Sequence, residues 1–149
     1  ERYQGELHQA LRRAGRDPVI EVVTRREDLP GSVRSVLARA DVVLALPDPL
    51  VHNNQTAHHL LLASYRQGVP VVGYSASFVK AGAATALVSR PAAVGRQAGA
   101  LALDILNGGA CREPVGPDDF DILVNANVAR SLELAIDVAA LSQRLGGGK

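Results

Sequence analysis

Apolar residues fall along this chain in two alternating patterns: stripes at helical spacing and short continuous runs. Tyr3, Leu7, Leu11 and Ala14 recur at helical spacing and are followed by Gly15, which predicts an amphipathic helix over 2–14 with a glycine stop. VIEVV, 19–23, predicts a short strand. Ser32 is placed to cap a second helix with Val33, Val36, Leu37 and Ala40 on one side, and DVVLALP, 41–47, predicts a continuous apolar strand. A third helix runs from Thr56 to Gln67 and closes at Gly68; VPVVGYS, 69–75, and AATALVS, 83–89, are further strands.

The segment 92–107 sets Val94, Ala98, Leu101, Ala102, Ile105 and Leu106 at the spacing of a buried stripe. After a Gly/Pro linker, 108–118, come a strand FDILVN and helical residues to about Leu145, with 146–149 as a flexible tail. Apolar runs of this kind belong in parallel sheets covered by helices on both faces. The alternation predicts a single α/β domain over 1–149, a doubly wound parallel sheet in three α/β/α layers, with no internal repeat.

Composition narrows the classes. At 149 residues, 47% hydrophobic and 21% charged, the chain is long enough to bury one core. Sixteen Lys and Arg against fifteen Asp and Glu leave a net charge of +1, which gives no electrostatic reason to expect nucleic acid or an anionic membrane as partner. Cys111 is the one cysteine, so there is no internal disulfide, and it lies beside no candidate base. No apolar run is long enough to span a bilayer, and no charged-then-apolar leader is present. The chain starts at Glu1 without a methionine, as a processed or excised chain does, and this leaves the compartment open.

The chemistry concentrates at two strand ends. In open parallel sheets ligands bind beyond the carboxyl ends of strands, where loops and helix N-termini meet. PDPLVHNNQT lies at such an end: Pro47 and Pro49 stiffen the turn, and Asn53, Asn54 or Thr56 can cap the next helix, whose free N–H groups suit an anionic group. The next strand end carries Ser75 and Ser77 with Phe78 behind them, so two polar strand ends form a pocket rim. Each feature also has a purely structural reading, Asp48–Pro49 as a turn former, the Asn pair as a cap and the serines as turn residues.

Other chemistry finds less support. His58 and His59 point about 100° apart on a helix, and neither they nor His52 have a carboxylate or Cys at ligand spacing, so no metal is expected. Asp118, Asp119 and Asp121 lack the pattern of a cation loop and read as a solvated turn. Nucleophile-elbow, dinucleotide and P-loop motifs are missing, and Gly95 and Gly99 in VGRQAGA sit inside a helical pattern, where they permit close packing. No catalytic residue and no cofactor is expected.

One resemblance runs through the order of segments. ADVVLALPDPLVHNNQT, PVVGYS-x-x-FVKAGA, the VGRQAG-x-x-A helix leading to ILNGG, and the closing VN-x-x-VA-x-SL together resemble the ABC-transporter substrate-binding proteins of the periplasmic binding protein type 1 fold, in particular the branch with aromatic amino-acid binders. The resemblance covers residues 1 to about 134. It implies a two-lobed protein that traps a small solute, with an amino acid as the candidate class and an aromatic one favoured, between its lobes and delivers it to a membrane permease from a periplasmic or extracytoplasmic location. This chain then corresponds to the second lobe, with the first lobe absent and the 92–107 helix belonging to the missing partner.

Cover for that helix is expected from its own sheet, from homodimerisation or from lobe exchange with a second chain. The residues implied to bind solute are Asp48, Asn53, Asn54, Thr56, Ser75, Ser77 and Phe78, with Asp48 accepting from an ammonium or hydroxyl and Phe78 supplying an apolar wall. Two alternatives stand beside this reading. A phosphoacceptor receiver-like signalling domain also uses a strand-end Asp, yet here VIEVV is followed by TRRED rather than an acidic pair, and AATALV by SRP rather than Lys. The other is a non-catalytic interaction module with the same core.

Overall fold

Three parallel strands and one antiparallel strand make a single sheet in the order β1 (Val43–Leu44), β2 (Val71–Gly73), β3 (Thr85–Ser89), β4 (Phe120–Val124). The computed structural model describes residues 2–51, 53–110, 113 and 115–145, and of Arg2, Tyr3, Asn54 and Gln55 the backbone only. The expectations placed on His52, Cys111 and the 146–149 tail lie outside the described residues.

The sheet is mixed rather than wholly parallel. Val43 stands opposite Val71 and Val72 opposite Thr85, both in parallel register. β4 runs the other way, from Ser89 opposite Phe120 to Thr85 opposite Val124. The reason lies in the connection: helix α5 (Pro91–Leu106) buries only Ala93 and is not packed across the sheet as a crossover helix, and the linker returns the chain beside the end where β3 finished, Phe120 opposite Ser89. An antiparallel edge strand on an otherwise parallel sheet is a common solution.

One sheet face is well covered. Helices α3 (Asn54–Arg66) and α4 (Ala76–Ala81) close over it, and Ala45, Leu61, Val71, Phe78 and Ala83 form the core, with Val43, Ala57 and Tyr74 packed against it. Burying side chains such as Leu61 and Phe78 contributes about 1.5–3 kcal/mol each. Ser64, buried in α3, donates its hydroxyl to the Val69 carbonyl, and the Val69 N–H returns to the Ser64 carbonyl at 3.0 Å. These bonds, with Gly68 at φ 71°, turn the chain from α3 into β2.

The opposite face is more open. Ala45 is 1% exposed but its neighbour Leu44 is 44% exposed, and Leu87, on the same side of the sheet as Leu44, is 45% exposed. The apolar run at 41–47 is therefore buried on one face where the sequence predicts two.

The predicted strand at 19–23 does not form. Residues 16–24 join no ladder, and the segment is tied instead through Glu21, whose carboxylate accepts Ser35 Oγ at 2.7 Å and the Arg39 guanidinium. A β-prone sequence without a neighbouring strand has no partner for its backbone groups. Ser32 is not a cap either. Helix α2 (Leu29–Leu37) begins three residues earlier with Pro in its first turn, after a 3-10 turn at Arg26–Asp28, because proline's fixed φ suits the helix start.

The remaining helices are α1 (Arg2–Arg13), stopped at Gly15 with φ 69°, and α6 (Ala126–Ser131) and α7 (Val138–Leu145). The helical run predicted to Leu145 is thus broken after Ser131, where Glu133 takes φ 53°. α5 forms as predicted but buries only Ala93, and Leu106 is 80% exposed. Its stripe is not hidden against its own sheet. An added Cβ at Gly95 or Gly99 would meet nothing within 4 Å, so the close packing predicted for these glycines is not realised within this chain. Among the described residues no helix is long and apolar enough to cross a membrane.

Candidate functional site

Because β1 and β2 are parallel neighbours, their exits lie side by side at one end of the sheet. After β1, Asp48 folds the loop onto itself: its Oδ1 accepts both the Leu50 and Val51 N–H groups at 2.8 Å. Such an Asx turn needs a short side-chain acceptor, which is why Asp follows Pro47. Asn53 and Thr56 then cap α3 reciprocally. Asn53 Oδ1 accepts the Thr56 N–H at 3.1 Å, and Thr56 Oγ1 accepts the Asn53 N–H at 3.0 Å, with Thr standing where a capping box places Glu or Gln. Asn54 contributes the first helical backbone position, and its side chain lies outside the described residues.

Beyond β2, Ser75 caps α4. It is extended at φ −152°, its Oγ accepts the Phe78 N–H at 3.2 Å, and it lies 2.9 Å from Ser77 Oγ. Phe78 does not form a wall of the rim. It is 6% exposed, packed over Gly73, where an added Cβ would lie 3.0 Å from the Phe78 Cβ. The third residue of a helical turn points back beneath its cap, so Phe78 serves the core. Tyr74, half-buried and 5.0 Å from Phe78 between ring centroids, is the aromatic residue at this strand end that sequence reasoning missed. Its position directly before a capping Ser was the available signal.

A third group shares this end of the sheet. Arg90 follows β3 and Asp119 precedes β4, directly beyond the Ser89–Phe120 pair. The Arg90 guanidinium donates to the Asp119 carboxylate and stands 3.6 Å from Asp121. The hydrogen bond that the guanidinium donates to Asp119, and then the charges of Asp119 and Asp121, hold it above its ordinary pKa. The acidic cluster predicted as a solvated turn is thus, at Asp119 and Asp121, the counterpart of an arginine that the sequence did not single out.

Among the described residues no group of His, Cys, Asp and Glu could hold a metal ion. His58 and His59 are exposed, with ring centroids 6.3 Å apart and edge to face. An open hollow of about 470 Å³ lies elsewhere, lined by Glu21, Glu27, Asp28, Ser32 and Ser35 among others, and is not part of the two rims. Carboxylate, amide and hydroxyl groups at adjacent strand ends can hold a polar molecule by hydrogen bonds; among the described residues there, no nucleophile is paired with a base.

The family model of ABC transporter substrate binding proteins matches residues 6–143. No curated protein sequence matches the chain significantly. Among solved structures it is similar to a conserved domain protein from Vibrio cholerae, with 22% identity, a TM-score of 0.68, and coverage of 99% of this chain and 50% of that one. It is also similar to the ligand-free, open structure of CD0873, a substrate binding protein with adhesive properties from Clostridium difficile (23% identity, TM-score 0.68, 91% and 46% covered). A third is an ABC domain from Streptococcus pneumonia in complex with L-Trp (15% identity, TM-score 0.68, 98% and 50% covered). At these identities the likeness shows the fold, and the chain spans about half the length of each. The family consists of non-catalytic binding proteins, which sets aside both an enzyme and the receiver alternative. With the family model matching nearly its whole length, the chain belongs to the ABC transporter substrate binding protein family.

Proposed function

We propose that this chain is one lobe of a two-lobed solute-binding protein that captures a small polar or zwitterionic solute outside the cytoplasm and passes it to a membrane permease. The observation that carries this reading is the side-by-side exit of β1 and β2, each followed by a capped helix start. Polar groups there converge on one sheet end, where open α/β sheets take their ligands.

Asp48, Asn53, Asn54, Thr56, Ser75 and Ser77 are the proposed solute contacts, with Tyr74 in place of Phe78 as the aromatic neighbour. Both turn bonds of Asp48 fall on Oδ1, which leaves Oδ2 for a solute ammonium. An amino acid, aromatic first, is the solute class to try, because the Streptococcus pneumonia structure holds L-Trp. The exposed stripe of α5 is proposed to pack against the first lobe, which also accounts for Gly95 and Gly99.

The test is calorimetric titration of the two-lobed protein with amino acids, beside the 149-residue chain alone. Tight binding by the former and binding weaker by several decades by the latter is expected, since half of the enclosing contacts, at about 1 kcal/mol each, are lost. Absence of amino-acid binding to the two-lobed protein rejects the solute class; equal affinity of the single chain rejects the shared site.

A further inference from the structure

Of the sixteen residues of α5 only Ala93 is buried, so apolar packing within this chain is too slight to fix where the helix points. Polar bonds take that part. Arg90, the residue before α5, binds Asp119 and lies within 3.6 Å of Asp121. Two turns further on, Gln97 Nε2 donates to the Gly116 carbonyl at 3.0 Å, and Gln97 Oε1 accepts the Asp118 N–H at 3.2 Å. The two side chains therefore grip one short segment, 116–121, which is the chain on its way back into β4.

The segment that leaves the sheet and the segment that returns are the antiparallel continuations of β3 and β4. Their ladder ends at Ser89 and Phe120, and beyond it no backbone bond joins α5 to the returning segment among the described residues. Side chains alone bridge that gap. Asp119 is the more protected carboxylate, with its side chain 22% exposed against 48% for Asp121, so it anchors the guanidinium while Asp121 adds charge.

We propose that Arg90 and Gln97 form a clasp that fixes the direction in which α5 leaves the sheet by binding it to the returning segment 116–121. A planar, forked guanidinium suits this role because it holds orientation as well as charge, and the amide of Gln97 adds a donor and an acceptor at a second point, which removes rotation about the first. The clasp itself follows from the contacts within this chain. Its consequence, that the clasp sets the angle between lobes and so the ease of closure, rests on the two-lobe reading.

The clasp is tested in the full 149-residue chain with Cys111→Ser, carrying spin labels at Gln67→Cys, in the turn directly after α3, and at Ala100→Cys on α5. The parent should give one narrow interspin distance distribution, and Arg90→Gln/Gln97→Ala should replace it by a broad one while circular dichroism stays that of the parent. A distribution equally narrow in the double variant overturns the clasp. Should Arg90→Gln fail to fold, Gln97→Ala and Asp119→Asn decide singly: broadening in either supports the clasp, and no change in both overturns it. No solute is needed for this measurement, so its failure counts against the clasp alone, whereas failure of the two-lobed protein to bind solute counts against the proposed function alone.

Discussion

The hydroxyl oxygen of Ser75 accepts the N–H of Phe78 at 3.2 Å, so a single helical turn joins a rim serine to a ring in the core. Rim and core are therefore not independent here. Ser75→Ala removes the cap and should lower stability by about 1 kcal/mol, while Ser75→Asp, which keeps an acceptor, should recover most of it. Thermal melts of the two variants check this.

Gly73 and Phe78 form a second coupled pair. An added Cβ at Gly73 would lie 3.0 Å from both Cβ and Cδ1 of Phe78, so Gly73→Ala should cost about 1–3 kcal/mol by overpacking. Phe78→Ala should cost about 3–5 kcal/mol. Because Phe78→Ala removes the ring contacts at Cγ and Cδ1 but keeps the Cβ contact, the double variant should be less destabilised than the sum without recovering the whole cost of Gly73→Ala. Urea unfolding of the four proteins measures the coupling.

Asp48 holds its own turn and is proposed to hold solute as well, and the two roles separate by substitution. Asp48→Asn keeps the acceptor for the Leu50 and Val51 N–H groups but loses the charge. Its stability should stay within about 0.5 kcal/mol of the parent, while solute affinity in the two-lobed protein should fall by about 1.5–3 kcal/mol if an ammonium is lost as partner. Asp48→Ala should lose both. Unchanged affinity in Asp48→Asn would place this carboxylate in the turn alone.

Gly95 and Gly99 report on what α5 faces. With nothing within 4 Å of an added Cβ, Gly95→Ala and Gly99→Ala should each stabilise the 149-residue chain by about 0.5–1 kcal/mol through helix propensity. In the two-lobed protein the same changes should be neutral or destabilising, because the first lobe is proposed to pack there. Stabilisation of equal size in both would remove the proposed packing of α5 on a first lobe.

The Arg90 pair should not respond to pH on the arginine side. Its guanidinium pKa is raised by Asp119 first and then by Asp121, so the stability it contributes is fully present below the ordinary arginine value and is lost only as pH climbs through the raised one, in strong alkali. The melting difference between parent and Arg90→Gln should therefore stay constant from about pH 7 to pH 9. Added salt should shrink it, since the pair is partly exposed.

The sequence by itself carried the alternation of helices and strands, the strand-end position of Asp48 and Ser75, and, through the order of its segments, the family. Periodicity reports which residues need burial, and capping residues act within three or four positions of themselves, so both are local and legible. Asn53 and Thr56 show this: their reciprocal bonds span three residues.

What depended on distant chain segments was decided only by the tertiary structure. VIEVV has strand propensity but no neighbour to complete its hydrogen bonds, and FDILVN runs antiparallel because the linker returns it to the end of β3. Phe78 went to the core because its turn points back over Gly73. Arg90 and Asp119 lie 29 residues apart in sequence, and no local pattern announces an ion pair whose members meet only after β3 and β4 have paired. Local rules set each element's type; which elements meet, and which polar groups that meeting brings together, is fixed by non-local hydrogen bonding and burial.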